Sequence, residues 1–280
     1  MDEPLSRPFV YDSESWGIGI LDVRNKNLAA RKLSICLRNL DTVRGRVLEV
    51  GCARGQFIRS IKRYRPDFET HGCDINERAV ALNALEDPST HYFPGSATAL
   101  PFSDRSIDAV VFFDLLEHLE NPDQFIREVF RILKKGGRLH GYVPCEGQPG
   151  TLHWLLWKLH LDPDLKQKHR GHIQRFTNQN VLDLVSQTGL VLKEVKHSGY
   201  FFEQLLDLAF YFMLEVKSLN ERLWRVHSRM SELNSKSREN NLSRFLSFCR
   251  DMAFGIGFYE TTVLGVIPTS LGVHVTAVKG

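Results

Sequence analysis

The sequence is short of several signals that would point to a function class. Its five cysteines, Cys36, Cys52, Cys73, Cys145 and Cys249, are odd in number and scattered, with no C-x-x-C pair. That argues against a disulfide framework and against the usual zinc and redox spacings, so the expected compartment is reducing and cytoplasmic. A membrane-spanning helix needs about 20 nearly uncharged residues. The most apolar long stretch, Tyr200 to Val216, is interrupted by Glu203, Asp207 and Glu215. The N-terminus, MDEPLSRPFVYDSESWG, has acids where a signal peptide needs a basic stretch and an apolar run, so secretion is not expected. Charge of one sign is missing as well: 36 Lys and Arg against 33 Asp and Glu leave +3, too little to argue a nucleic-acid partner. There is no G-x-G-x-x-G, no P-loop and no internal repeat.

What is present is a chain of 280 residues, 42% hydrophobic and 25% charged, which can bury a sizeable core. The length admits one elaborated α/β core or two domains. From Arg46 onward the pattern is a short apolar run, a turn and a helix, repeated, which is the signature of βαβ units. The expected strands are 46–50, 69–75, a weaker one at 92–93, 107–112, 138–143, 190–196 and 273–278. Helices are expected over 56–63, 76–85 with Asn76 as N-cap, 123–133 closed by Gly136 and Gly137, and 178–188. Some 70 residues before the last strand break the alternation. Within them Glu203, Asp207, Tyr211 and Glu215 form a polar stripe on an otherwise apolar helix that wants to be covered. The following segment, 217–250, has eight Lys or Arg and three Glu, a local +5.

The first strand runs into Glu49-Val50-Gly51-Cys52-Ala53-Arg54-Gly55, an acid followed by two glycines four residues apart. Such a turn lets an anionic or polar ligand approach the backbone at a helix N-terminus, and it also suits a plain βα connection. Asp74 ends the second strand, 19 residues beyond Gly55. A carboxylate there can accept both hydroxyl protons of a ribose; it is equally at home as an acid at a helix N-terminus.

VLEVGCARG, the acid of HGCDIN, GSATALPFSDRSIDAVVFFDLLEHLENP and ILKKGGRLHGYVP resemble, in order and spacing, the successive motifs of class I S-adenosylmethionine-dependent methyltransferases, nearest to the type 11 small-molecule group. The resemblance covers roughly 43–198 plus the final strand. It implies a Rossmann-like, seven-stranded, mostly parallel sheet with helices on both faces, an antiparallel last strand and a helical insertion before it. The implied organisation is an N-terminal cap at 1–42, a core at 43–198, an insertion at 199–271 and the final strand at 272–280.

By that resemblance S-adenosyl-L-methionine is the cofactor. Its site would comprise Glu49, Gly51, Cys52, Ala53 and Gly55 beside the methionine part and Asp74 at the ribose. Ile75 would lie on the adenine, Ser96 and Ala97 at its edge, and Asp114, Leu115 and His118 on the floor where sulfonium and acceptor meet. Two positions depart from the family pattern, Ala53 for the usual Gly and Ser96 for the usual Asp, and both bear on cofactor affinity. His118 and His172, the latter in GHIQRF, are the candidate general bases, each with a purely structural alternative. His153, His160 and His169 are expected at the surface or in a lid. Glu117 is expected to be a solvated acid. Trp16 and Tyr11 are candidates for a flap over the cofactor or for core packing. No metal site is expected.

The expected activity is methyl transfer to a small, lipophilic acceptor by in-line attack on the sulfonium methyl. The alternatives are a catalytically silent S-adenosylmethionine-binding partner of the same fold and, less in keeping with the turn, a nicotinamide-dependent oxidoreductase. No nucleic-acid partner is expected. Peripheral membrane contact through 200–250 and a homodimer stay open.

Overall fold

The computed structural model describes residues 17–25, 27–161, 171–215, 255–256, 259–261, 263–264, 267 and 269–280, with the side chains of 210–215 outside the description. Cys249, Trp16, Tyr11, His169 and the basic segment 217–250 lie outside the described residues, as do the side chains of Tyr211 and Glu215.

Seven strands form one sheet: β1 (Arg46–Val50), β2 (Glu69–Asp74), β3 (Thr90–Pro94), β4 (Ile107–Phe113), β5 (Leu133–Pro144), β6 (Leu190–Ser198) and β7 (Gly272–Lys279). Their order is β3-β2-β1-β4-β5-β7-β6. The first five pair in parallel, and β7 enters antiparallel between β5 and β6. This is the α/β sheet with a reversed last strand that the resemblance implies.

Period-two alternation along the central strands builds the two faces. Leu48, Val50, Val110 and Phe112 point to one side, into a core shared with Phe125, Ile126, Val129 and Ile132 of α4 (Pro122–Ile132) and with Val181 and Val185 of α6 (Asn178–Ser186). Val47, Ala109, Val111 and Phe113 point to the other. There they meet Leu33, Cys36 and Leu40, from α1 (Leu28–Asn39) and its C-terminal end, and Ile58 and Ile61 of α2 (Gln56–Tyr64). Helix α3 (Glu77–Glu86) starts as expected at Asn76, whose side chain accepts from the Ala79 amide at 2.9 Å.

Three expectations need correction. α4 ends at Ile132, before the glycine pair. Leu133 already pairs with Ile107 in the sheet, and Gly136, with φ of +75°, belongs to an irregularity inside β5. His153 is buried, on the short helix α5 (Leu152–Lys158), with Nε2 3.0 Å from an Asp207 carboxylate oxygen. The third concerns α7 (Phe201–Glu215), along whose described side chains, 201–209, the exposed residues are apolar and the buried one is polar. Gln204 is buried, accepting from the Leu152 amide at 2.6 Å and donating to the Gly199 carbonyl at 2.9 Å. Burial raises the Glu203 carboxyl to about 7. Phe201, Phe202 and Leu205 are exposed. Buried polar groups must find partners, and here the facing helix α5 and the loop before α7 provide them for Gln204 and Asp207. Helices α1 and α5 were not read from the sequence. Among the described residues, no helix is long and apolar enough to cross a membrane.

Two measurements follow from this core. Gly141 in β5 lies directly under the Phe112 ring, so a Cβ there would overlap ring carbons of a side chain with no free space. Gly141→Ala is expected to lower stability by about 1–3 kcal/mol, read by denaturant unfolding. His140 and His274 are buried neutral beside each other, ring centroids 5.9 Å apart, with His140 Nδ1 2.9 Å from the Thr276 hydroxyl. Burial lowers His140 to about 3 and holds His274 well below the usual imidazole value. Unfolded, both titrate near about 6.5. Between those values the unfolded chain binds protons that the folded chain refuses. Stability should therefore be at its full value above about pH 6.5 and fall as the pH drops toward 3. Urea midpoints across that range, flatter for His140→Leu than for the wild type, test it.

Candidate active site

Crossovers leave β1 toward β2 and β3 on one side, and β4 toward β5 on the other, so the sheet has its switch point between β1 and β4. In open α/β sheets the crevice outside the strand carboxyl ends at such a point is where ligands sit. The sequence-predicted cofactor residues lie there: the turn 51–55 after β1, Asp74 and Ile75 after β2, Ser96 and Ala97 after β3, Asp114 and Leu115 after β4.

The turn is closed against β2 by its backbone, with the Gly51 and Cys52 amides donating to the Cys73 carbonyl at 2.8 and 3.2 Å. Gly51 has φ of +74°, and a Cβ there would come within 2.9 Å of Leu115 Cδ1, so only glycine fits between the two sides of the crevice. Asp74 Oδ2 accepts from the Ala53 amide at 2.7 Å and Oδ1 from the Asn76 amide at 2.9 Å. Each carboxylate oxygen keeps a further lone pair, and the group is half-buried. Beside it, at the carboxyl end of β2, Ile75 is 68% exposed, an uncovered apolar side chain. Ser96 Oγ lies 2.9 Å from the Thr98 hydroxyl and accepts from the Thr98 amide.

Glu49 is buried, and one of its oxygens accepts from the Ile58 amide at 2.8 Å, fixing the first turn of α2; burial raises its carboxyl well above the ordinary range. Arg54, also buried, leaves the turn toward α3, donating to Glu86 at 2.6 Å, while Asn83 donates to the Ala53 carbonyl at 2.7 Å. Burial raises the thiols of Cys52 and Cys145 far up and that of Cys73 to about 12, which leaves all three as inert protonated groups.

On the other side of the crevice Asp114 takes φ of +51°, unusual for a residue with a Cβ, and both its oxygens accept from Lys32 Nζ at 2.5 and 2.8 Å. Lys32 comes from α1, nearly buried, its ammonium 3.7 Å above the Tyr142 ring. Sequence reading missed it. The available signal was its place on the stripe of α1 that also carries Leu28 and Cys36.

A 3-10 turn (Leu116–His118) follows Leu115. The segment after Gly171 docks on it, with the Ile173 and Gln174 amides donating to the Glu117 carbonyl at 2.9 and 3.1 Å. This brings His118 and His172 together, ring centroids 4.9 Å apart and nearly perpendicular. His118 Nδ1 is 3.1 Å from the Gly171 carbonyl, and His172 Nδ1 is 2.8 Å from Glu146 Oε1. Burial, then the neighbouring His172, lowers His118 to about 4.

Glu117 is not a solvated acid. It is fully buried, among the described residues neither carboxylate oxygen has a hydrogen-bond partner, and burial raises it well above the usual range. The expectation failed because Glu117 sits on the inner side of the 3-10 turn, under the loop carrying His172. Glu146, just after β5, was also missed; an acid at a strand's carboxyl end was the available signal, the one that found Asp74.

With this geometry in view, residues 48–140 match the type 11 family described as a methyltransferase domain. This stretch is a class I S-adenosylmethionine-dependent methyltransferase domain, and the chain spans between about a third and just under two thirds of the length of the first curated relatives it matches. A protein of Mycolicibacterium smegmatis named as a probable S-adenosylmethionine-dependent methyltransferase is 36% identical over 94 residues, 32% of this chain and 35% of that one. The ubiquinone/menaquinone biosynthesis C-methyltransferase UbiE of Bartonella tribocorum is 30% identical over 170 residues, 55% of this chain and 64% of its own. Among solved structures, Haemonchus contortus phosphoethanolamine N-methyltransferase 2 with S-adenosyl-L-methionine superposes with a TM-score of 0.56 at 18% identity, over 89% of this chain and 52% of that one. That last likeness is one of fold.

Ala53, where the methyltransferase domain usually has glycine, sits at φ of +43°. A Cβ residue in the left-handed region costs about 1–2 kcal/mol, of which glycine returns about 0.4–1 through its freer unfolded chain. Ala53→Gly is therefore expected to raise stability by up to about 1 kcal/mol in denaturant unfolding.

Proposed function

We propose that the chain transfers a methyl group from S-adenosyl-L-methionine to a small, lipophilic acceptor. The observation that carries the reading is the crevice at the β1/β4 switch point, where a glycine-lined turn, a two-oxygen acceptor and an open apolar platform meet. Bound there, the cofactor supplies an electrophilic sulfonium methyl group, open to in-line attack by the acceptor.

The chain's own part is to bind and align, which contributes about 7–11 kcal/mol in favourable intramolecular systems. Asp74 has lone pairs for two ribose hydroxyls. Ile75 would be covered by the adenine, with Ser96 and Ala97 at its edge; Ser96 is a weaker acceptor than the usual carboxylate. Gly51, Cys52, Ala53 and Gly55 allow close approach of the methionine part, and Glu49 acts by holding the turn on α2. Asp114, fixed by Lys32, and Leu115 line the floor next to His118. His118 and His172 are the groups to which a hydroxyl acceptor would pass its proton.

The lipophilic character of the acceptor is supported by a cavity of about 210 Å³ between α5 and α7, lined by Leu152, Tyr200, Phe201 and Leu264 together with Gln204 and Glu260. In this reading 199–271 covers the acceptor, as a substrate element added to the core.

The test is calorimetry with S-adenosylmethionine followed by methyl transfer from labelled cofactor into a lipid-containing metabolite extract. Asp74→Ala should weaken cofactor binding at least about tenfold, since hydrogen bonds to a charged group are worth about 1.5–3 kcal/mol. Asp74→Asn, which keeps the turn's shape better, should weaken it less. Binding without labelling of any extract would favour the silent partner protein, and binding of NADH in place of S-adenosylmethionine would overturn the reading.

A further inference from the structure

Glu117, His118 and His172 meet under the crevice in an arrangement that general-base chemistry does not require. One carboxylate oxygen and one nitrogen from each imidazole all lie within 4.8 Å of one another. Glu117 Oε1 is 3.9 Å from His118 Nε2 and 4.0 Å from His172 Nε2. These separations are too long for hydrogen bonds. They are about half an ångström wider than the edge of a tetrahedron with arms of about 2.1 Å, the usual zinc–nitrogen and zinc–oxygen length.

Each imidazole is held from behind. His172 Nδ1 is on the Glu146 carboxylate, itself buried, and His118 Nδ1 is on the Gly171 carbonyl. Carboxylate and carbonyl partners on the far nitrogen are what fixes tautomer and ring orientation in metal-ligating histidines. The third group supplies an independent argument. Glu117 is 0% exposed, and among the described residues neither of its oxygens has a hydrogen-bond partner; such a carboxylate calls for a cation or a donor.

We infer that Glu117, His118 and His172 form a site for a divalent transition-metal ion, Zn2+ by ligand chemistry, that leaves a position open toward the crevice for an oxygen atom of the acceptor. Two histidines and one glutamate with an open fourth position are an established catalytic zinc set. The proposal rests on the methyltransferase reading for its acceptor, which it narrows to molecules with an oxygen donor such as a hydroxyl. With the ion bound, the two imidazoles are ligands and no longer proton acceptors, so the metal and general-base readings separate by experiment.

The full chain, stripped with a chelator, is titrated with Co2+. One equivalent should bind and give the visible ligand-field band of a four- or five-coordinate nitrogen–oxygen site, without a thiolate charge-transfer band, and one equivalent of Zn2+ should displace it. Glu117→Gln and His172→Ala should each weaken binding at least about tenfold. Glu146→Gln, which leaves all three ligands in place, should weaken it about 10- to 100-fold by freeing His172. Circular dichroism melts establish that the variants fold.

Absence of stoichiometric binding, or binding that survives both Glu117→Gln and His172→Ala, overturns the site. So does methyl transfer that is indifferent to chelation. Calorimetry with S-adenosylmethionine on the same stripped samples keeps the two readings apart. Cofactor binding without metal binding sinks the metal site alone, and failure of the wild type to bind cofactor sinks the methyltransferase reading.

Discussion

The seam between β1 and β4 is the constraint from which the site follows. Two parallel strands lie side by side, and the chain leaves them in opposite directions, so no helix can cover the gap above their carboxyl ends. Gly51 stands on one side of this gap and Leu115 on the other, close enough that a single added carbon would close it. The alternating burial of β1 and β4 between two helical layers keeps the seam rigid, and its walls are backbone and short side chains. A crevice built this way needs no mobile element to exist.

Charged groups around the seam are held by backbone or by each other, and the manner differs with exposure. Asp74 is half-buried and shared between two amides, which leaves acceptor capacity directed outward. Glu49, one strand nearer the centre, is fully enclosed, so its one amide contact serves the fold. The Lys32–Asp114 pair sits between these cases. Its lysine is covered and its aspartate is not, an asymmetry that fixes the carboxylate's direction in a strained backbone conformation while leaving one side to solvent. A partly desolvated pair of this kind adds little to stability on balance, and its value lies in orientation.

The sheet was legible because β1 and β4 are apolar runs followed at βα spacing by turns and helices, and the bounds of β1, β2 and β4 came within a residue of those observed. β5 began earlier than expected because Leu133, which pairs with Ile107, is cut off from the apolar part of the strand by the charged and glycine stretch 134–137, which leaves no apolar trace. Helix α1 was passed over because its inner stripe includes Lys32, which reads as a solvent residue until the partner Asp114, far along the chain, is known. The same long-range blindness applied to Glu117 and His153, whose burial is imposed by the 171–177 loop and by α7. The stripe on α7 was seen, but the expectation that the helix's apolar residues would be covered fails at Phe201, Phe202 and Leu205. An apolar helix in isolation is expected to turn its polar side to water, and only the polar partners on α5 reverse it.

Glu117 is where local rules are broken most plainly. Burying a carboxyl without a hydrogen bond costs several kcal/mol if it is ionised and a smaller amount if it is neutral. The chain nonetheless surrounds it with two imidazoles, each anchored from its far nitrogen. Sequences that fold well agree with themselves at every level, and their exceptions gather at sites of function. An isolated histidine pair would be adequately explained as a structural clasp between the 3-10 turn and the 171–177 loop, because the backbone amides of Ile173 and Gln174 already secure that junction through the Glu117 carbonyl. The clasp does not explain why the side chain beneath it is an acid. Glutamine would fill the same space with donors of its own, whereas a carboxylate at this position suits a positively charged occupant.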